Sequence, residues 1–173
     1  ILISGALYLF LITLRDFFNK KYKNFAQNTA HFGFSLLILS ILFNNLFSSE
    51  IITNLKVGET YDNSKTKIVF ESINQKKEKN YKSIIANFNI TNSEGINNNL
   101  SPELRIYNQP NITTSEADIK TTLMKDKFIV INLVQNQDYF NVRYQVKPFM
   151  LWIWLSVIMI SLGGLVSFLQ KRI

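Results

Sequence analysis

The side chain best suited to metal or proton chemistry is a single imidazole. His31 is the only histidine among 173 residues that include no cysteine, so disulfides and thiol chemistry are excluded. The sequence offers no Gly-rich phosphate loop, no metal-ligand cluster and no Ser/His/Asp triad. Three roles remain open for His31: an axial ligand of haem iron, a proton-relay group, or an interfacial residue capping a helix. A neutral imidazole can bind iron through one nitrogen while a neighbouring acceptor fixes the other. Six-coordinate iron needs a second ligand, and the thioethers available are Met124, Met150 and Met159. The last two are expected to be core or lipid-facing, which leaves the partner ligand to be sought upstream of this chain. Thr113–Ile119 (TTSEADI) reads as a capped helix start rather than a catalytic carboxylate pair, with a short helix expected over Ser115–Met124. No catalytic residue is assigned.

His31 heads a nearly unbroken apolar run, Asn28–Phe47 (NTAHFGFSLLILSILFNNLF). About eighteen helical residues reach roughly 27 Å, close to the hydrocarbon thickness of a bilayer. An ionisable group at the head of such a span is costly, so it faces protein, water or a cofactor. At 100° per residue, Ala30, Gly33, Leu37, Ser40 and Asn44 share a face of small residues suited to close helix packing. His31, Ser35, Ile38, Leu42 and Asn45 share another, where a ligand or cofactor is expected.

Two further apolar blocks flank this one, Ile1–Leu14 and Phe149–Leu169, with about one hundred polar residues between the second and third. The pattern predicts a membrane protein: the end of a transmembrane helix at 1–14, a basic cytoplasmic loop at 15–29 and a transmembrane helix at 30–47. An extramembrane domain at 48–147, a transmembrane helix at 148–169 and a cytoplasmic tail at 170–173 complete it. The first residue is Ile1 and the first block is already apolar. The chain is therefore expected to be the C-terminal part of a longer membrane protein, beginning inside a helix.

In 48–147 the alternation of Ile84, Ala86, Phe88 and Ile90 with Ser83, Asn87 and Asn89 predicts a strand over Lys82–Thr91. Phe140, Val142, Tyr144 and Val146 predict another over Tyr139–Lys147. Lys67–Ile73, Leu104–Tyr107 and Phe128–Val134 are further candidates. Turn signals fall at Gly58, Asp62-Asn63, Asn92–Gly95, Asn97–Asn99, Pro110-Asn111 and Asn136–Asp138. Five or six short strands predict a small antiparallel β barrel or sandwich.

The net charge of +7 invites a nucleic-acid partner, but its distribution argues against one. Arg15, Lys20, Lys21 and Lys23 against Asp16 leave +3 in the first loop, and Lys171-Arg172 close the tail. The middle domain holds thirteen basic and eleven acidic residues, with no aromatic-interleaved basic patch. Excess basic residues beside membrane spans set orientation, which puts both basic ends inside and 48–147 outside. Trp152 and Trp154 are expected as interfacial anchors of the third span, with Gly163-Gly164 permitting close packing.

Several blocks together resemble the C-terminal part of the CcmF family of cytochrome c maturation haem lyases. Thr29–Phe34 (TAHFGF) is similar to that family's AHxG at the start of a transmembrane helix, followed by Glu50 where the family enters its periplasmic domain. Pro102–Tyr107 (PELRIY) and Thr113–Ile119 (TTSEADI) are similar to its E-K-R-x-Y and T-E-A-A-I blocks. VRYQVKPFMLWIW, beginning at Val142, and the later Gly163-Gly164 are similar to its V-R-x-Y-x-K-P-F-V-x-W-I-W and G-G. Leu104 stands where the family has lysine, and Asp118 where it has alanine. The resemblance implies part of a multi-pass haem lyase of the bacterial inner membrane, with 48–147 in the periplasm. Haem would come from the chaperone CcmE and be attached covalently to apocytochrome c, alongside CcmH/CcmI-type subunits. It also implies a resident haem b ligated by His31, its second ligand upstream, and no catalysis by this fragment alone. The competing expectation is a membrane-anchored docking module whose β domain binds an assembly partner without touching haem.

Overall fold

The computed structural model describes residues 2–18, 25–93, 95–134 and 138–170. It contains three helices, α1 (Leu2–Phe18), α2 (Phe25–Phe47) and α3 (Met150–Gln170), with ten strands between α2 and α3. Of the stretch expected as a loop, 15–18 and 25–29 are helical, while Lys20, Lys21 and Lys23 lie outside the described residues. Lys171 and Arg172 also lie outside them, as do Glu94, Asn136 and Gln137 in two of the expected turns. The chain divides into a helical unit (1–48, 122–126 and 147–173) and a β unit (49–121 and 127–146).

In the helical unit, α2 and α3 are long and apolar enough to cross a membrane, and only 28% and 11% of their apolar windows are buried. A core helix of a soluble protein would be mostly buried. Here Phe34, Ile41, Trp154, Ile158, Leu162 and Leu165 face outward, as lipid-exposed side chains do. The two helices run antiparallel and meet backbone to backbone. A Cβ on Gly33 would lie 3.0 Å from Ile160 N, Met159 Cβ and Ser156 O. A Cβ on Gly163 would lie 2.7 Å from Ala26 O and 2.8 Å from Ala30 N. Gly164 has open space around it, so only the first glycine of the pair makes the contact. At the other end of the pair, Asn44 Nδ2 donates to Pro148 O at 2.6 Å.

Helix α1 packs on α2 through Ala6, Phe10, Thr13 and Phe17, residues three or four apart that share one face. The buried Thr13 and Ser35 hydroxyls lie 2.5 Å apart, each also bonded to a carbonyl of its own helix. Phe32 stacks on Phe17 at 5.1 Å and tilts against Phe10 at 5.6 Å. Ser35, grouped by periodicity with His31 as ligand-facing, is thus shut against α1.

The β unit is a sandwich of two antiparallel sheets. One has the order β1-β10-β9-β8 and comprises Ser49–Leu55, Phe140–Pro148, Lys125–Leu133 and Asp118–Thr121. The other has the order β2-β3-β4-β6-β7: Thr60–Asp62, Thr66–Lys77, Tyr81–Asn92, Glu103–Tyr107 and Thr113–Glu116. β5 (Asn97–Leu100) pairs with β4 beside β6. The inward residues of both sheets form one core including Ile68, Phe70, Phe88, Ile90, Ile129, Ile131 and Val142. Phe70 stacks on Phe88 at 4.4 Å and meets Phe140 edge-on at 5.6 Å. Two expectations are corrected. Asn97–Asn99 forms strand rather than turn, because it pairs with β4. The helix expected over Ser115–Met124 is replaced by β7 and β8, because Thr113–Glu116 pairs antiparallel with β6.

The glycine contact between α2 and α3 makes a direct prediction. Replacing Gly163 by Ala puts a methyl into backbone atoms of α2 and should cost about 1–3 kcal/mol. The same change at Gly164 should be neutral. Thermal denaturation of the detergent-solubilised protein distinguishes the two, and equal effects would refute the contact.

Candidate functional site

His31 lies in the second turn of α2, about 9 Å along the axis from Phe25 at 1.5 Å per residue. Gly33 is two residues on, about 200° around the helix, so the face pressed against α3 is the far side from His31. The imidazole is exposed, and it makes no hydrogen bond or ion pair with another described residue. It shares its stripe with exposed Gln27, Phe34 and Ile41 and half-buried Ile38. On the α1 side stand Phe32 and its partners Phe10 and Phe17. An imidazole on an apolar, aromatic-flanked helix face, without a polar partner among the described residues, can ligate iron or exchange a proton with a group from another segment.

The three methionines supply no second ligand beside it. Met159 packs at Gly33, on the opposite side of α2. Met150 opens α3, thirteen residues before Gly163, which itself lies level with Ala30; that is about 20 Å along the axis. Met124 accepts a backbone hydrogen bond from Phe149 N at 2.8 Å, at the same remote end. Among the described residues, no methionine stands beside His31.

The two motif blocks that resemble family sequence come together in the β unit. Strands β6 and β7 pair with Glu103 opposite Glu116 and Arg105 opposite Thr114. Alternation puts Glu103, Arg105 and Tyr107 on one face. Arg105 donates to Glu103 Oε2 at 2.9 Å, lies 3.8 Å from Glu116 and sits 5.3 Å above the Tyr81 ring. Tyr81 and Tyr107 are themselves 5.3 Å apart. The guanidinium holds the Glu103 carboxyl below the usual carboxylate range. The only trace of this cluster in the sequence is the alternation of Glu103, Arg105 and Tyr107. The departures from family pattern have structural roles: Leu104 is buried in the core, and Asp118 Oδ2 accepts from Ser101 N at 2.6 Å. Asp118 thereby ties β8 of one sheet to the β5–β6 link of the other. Glu50 accepts hydrogen bonds from Arg143 and from Gln145, the latter at 2.5 Å, tying β1 to β10. These clusters pair their charges internally and read as struts of the sandwich.

Comparison with known proteins bears on both units. The sequence profile of the CcmF C-terminal beta-sandwich matches residues 46–148. The chain is 27% identical over 143 residues to cytochrome c-type biogenesis protein CcmF of Escherichia coli (strain K12), covering 83% of this chain and 22% of that protein. The CcmF of Haemophilus influenzae gives the same identity and coverage. Cytochrome c-type biogenesis protein NrfE of Haemophilus influenzae is 23% identical over 99% of this chain and 27% of its own length. The chain thus spans about a quarter or less of these relatives. A solved structure described as cytochrome c heme lyase CcmF superposes with a TM-score of 0.71 at 17% identity, covering 95% of this chain and 30% of that one. At that identity the likeness establishes a shared fold.

The Glu103–Arg105 pair yields a pH prediction. Its folded carboxyl titrates below the unfolded value of about 4.3, so its stabilisation is present above that value. It is lost as pH falls through the folded pKa. Glu103→Gln should lower the melting temperature of the β unit at pH 7 and flatten its fall between about pH 5 and 3. Circular dichroism melts across that range check this, and parallel curves for both proteins would refute it.

Proposed function

The chain belongs to the CcmF C-terminal β-sandwich family, and from that premise we propose that it is part of a membrane haem lyase of cytochrome c biogenesis. In this reading His31 is an axial ligand of a resident haem b. The observation that carries the role is the position of the imidazole. It is exposed, without a hydrogen-bond or ion-pair partner among the described residues, on the apolar side of α2 that α3 does not touch. A helix-capping role is less well supported, since His31 lies six residues inside α2 rather than at its end.

The residues present fit one half of a haem site. His31 supplies a nitrogen ligand, Phe34, Ile38 and Ile41 supply an apolar wall, and the second ligand comes from elsewhere in the longer protein. When bound there, haem iron supplies one-electron redox chemistry. The chain's part is to fix the ligand: Gly33 and Gly163 lock α2 on α3 and set which way the imidazole points, while Thr13–Ser35 and the phenylalanine stack secure α1. Fixing the helix azimuth would keep the imidazole nitrogen aimed at the iron.

Orientation follows from charge. The basic 15–23 segment and Lys171-Arg172 are held in the cytoplasm, and the β unit faces the periplasm of a bacterial inner membrane. His31 then lies toward the cytoplasmic end of its span. In this reading the β unit is the part open to partners on the periplasmic side: the haem chaperone CcmE, CcmH/CcmI-type subunits and apocytochrome c, the acceptor of covalently attached haem.

The test is His31→Ala in the full-length protein, with the visible spectrum and the cytochrome c yield both recorded. The b-type haem absorbance should be lost and the yield of cytochrome c should fall. Unchanged haem content and unchanged yield would sink the ligand role and favour the docking module.

A further inference from the structure

The turn between β8 and β9, with the first two residues of β9 (122–126 together), belongs to the helical unit. It is held against the first turn of α3 by two hydrogen bonds. Phe149 N donates to Met124 O at 2.8 Å, and the Trp152 indole Nε1 donates to Leu123 O at 3.0 Å. The turn is closed by its own residues, with Thr122 bonded to Lys125 through both backbone and hydroxyl. Its backbone is therefore fixed while its two apolar side chains stay largely exposed: Leu123 is 62% exposed and Met124 56%.

The depth of this turn can be read from α3. Its 21 residues reach about 31 Å, matching a hydrocarbon core of about 30 Å. The first turn of α3 therefore lies at the boundary between headgroups and acyl chains, where tryptophan is favoured. The Asn44–Pro148 hydrogen bond brings the end of α2 to the same level. Around it Leu46, Phe47 and Trp154 are also exposed, continuing the apolar rim. Beneath, Met124, Phe149 and Trp152 line one end of an apolar cleft of about 190 Å³ with Phe10, Leu36, Leu39, Ser40 and Phe43. Lys125 follows the apolar pair and carries a cation of the kind drawn to lipid phosphates.

We infer that the 122–126 turn is a lipid-binding element. Leu123 and Met124 insert among the upper acyl carbons of the periplasmic-side leaflet, with Lys125 at the phosphates and the Trp152 indole holding the turn at that depth. Both exposed side chains are apolar where the surrounding medium is the bilayer interface, which is the physical condition for insertion. The turn thus forms a contact with lipid in addition to the spans themselves.

The test uses the full-length protein in vesicles of phosphatidylcholine and phosphatidylglycerol. Single Leu123→Cys and Met124→Cys variants, in a background free of other reactive cysteines, carry an environment-sensitive fluorophore. Lipids bearing a nitroxide at the headgroup or at a shallow or deep acyl carbon, and iodide in the aqueous phase, serve as quenchers. A fluorophore at Leu162, exposed in the middle of α3, gives the deep reference. Both turn positions should be quenched most strongly by the shallow nitroxides. They should also show blue-shifted emission and a several-fold loss of iodide quenching relative to the free dye, while position 162 responds best to the deep nitroxide. Full iodide access without lipid quenching would place the turn in water. Protection from both quenchers would place another protein segment over it. Either result overturns the inference, and agreement between the two turn positions guards against local damage at one of them.

Discussion

Two glycines on facing helices govern the helical unit. With no Cβ on Gly33 or Gly163, α2 and α3 pack with atoms that a methyl group would displace. Between membrane helices there is little hydrophobic drive to associate, since lipid tails are as apolar as the side chains they would replace. Close backbone contact therefore supplies dispersion attraction that bulkier residues would forfeit. Once Gly33 is turned to α3, helical geometry leaves no freedom for His31, which must emerge on the far side. The direction of the His31 side chain is thus a consequence of a packing contact two residues away.

The rest of the helical unit reinforces that azimuth. Thr13 and Ser35 pair their hydroxyls within an apolar environment, where each would be costly alone. The phenylalanine stack around Phe32 fills the space beside them. The β unit needs none of this: its core of aliphatic and aromatic residues is complete in itself. Two of its surface arginines pair across adjacent strands, Arg105 of β6 with Glu116 of β7 and Arg143 of β10 with Glu50 of β1.

What the sequence revealed depended on how strongly each segment was patterned. The apolar blocks located the three helices, and strict alternation located β4 and β10. The small-residue face of α2 was legible, because Gly33 and Ala30 recur at helical spacing. Strand β5 was not, because an Asn-rich stretch carries turn propensity and becomes strand only by pairing with β4. TTSEADI has the composition of a helix cap, and its pairing with β6 overrides that local preference. Ser35 was placed on the ligand face because α2 alone does not reveal where α1 packs. Which glycine of Gly163-Gly164 makes the contact depends on the register with Ala26 and Ala30, which only the structure supplies.

If the His31 imidazole reaches iron, free imidazole can take its place. In full-length protein carrying His31→Gly, the space left by the side chain can admit free imidazole. The account predicts that the low-spin haem signal in electron paramagnetic resonance disappears in this variant and returns when imidazole is added. A low-spin signal that survives the substitution unchanged would contradict it.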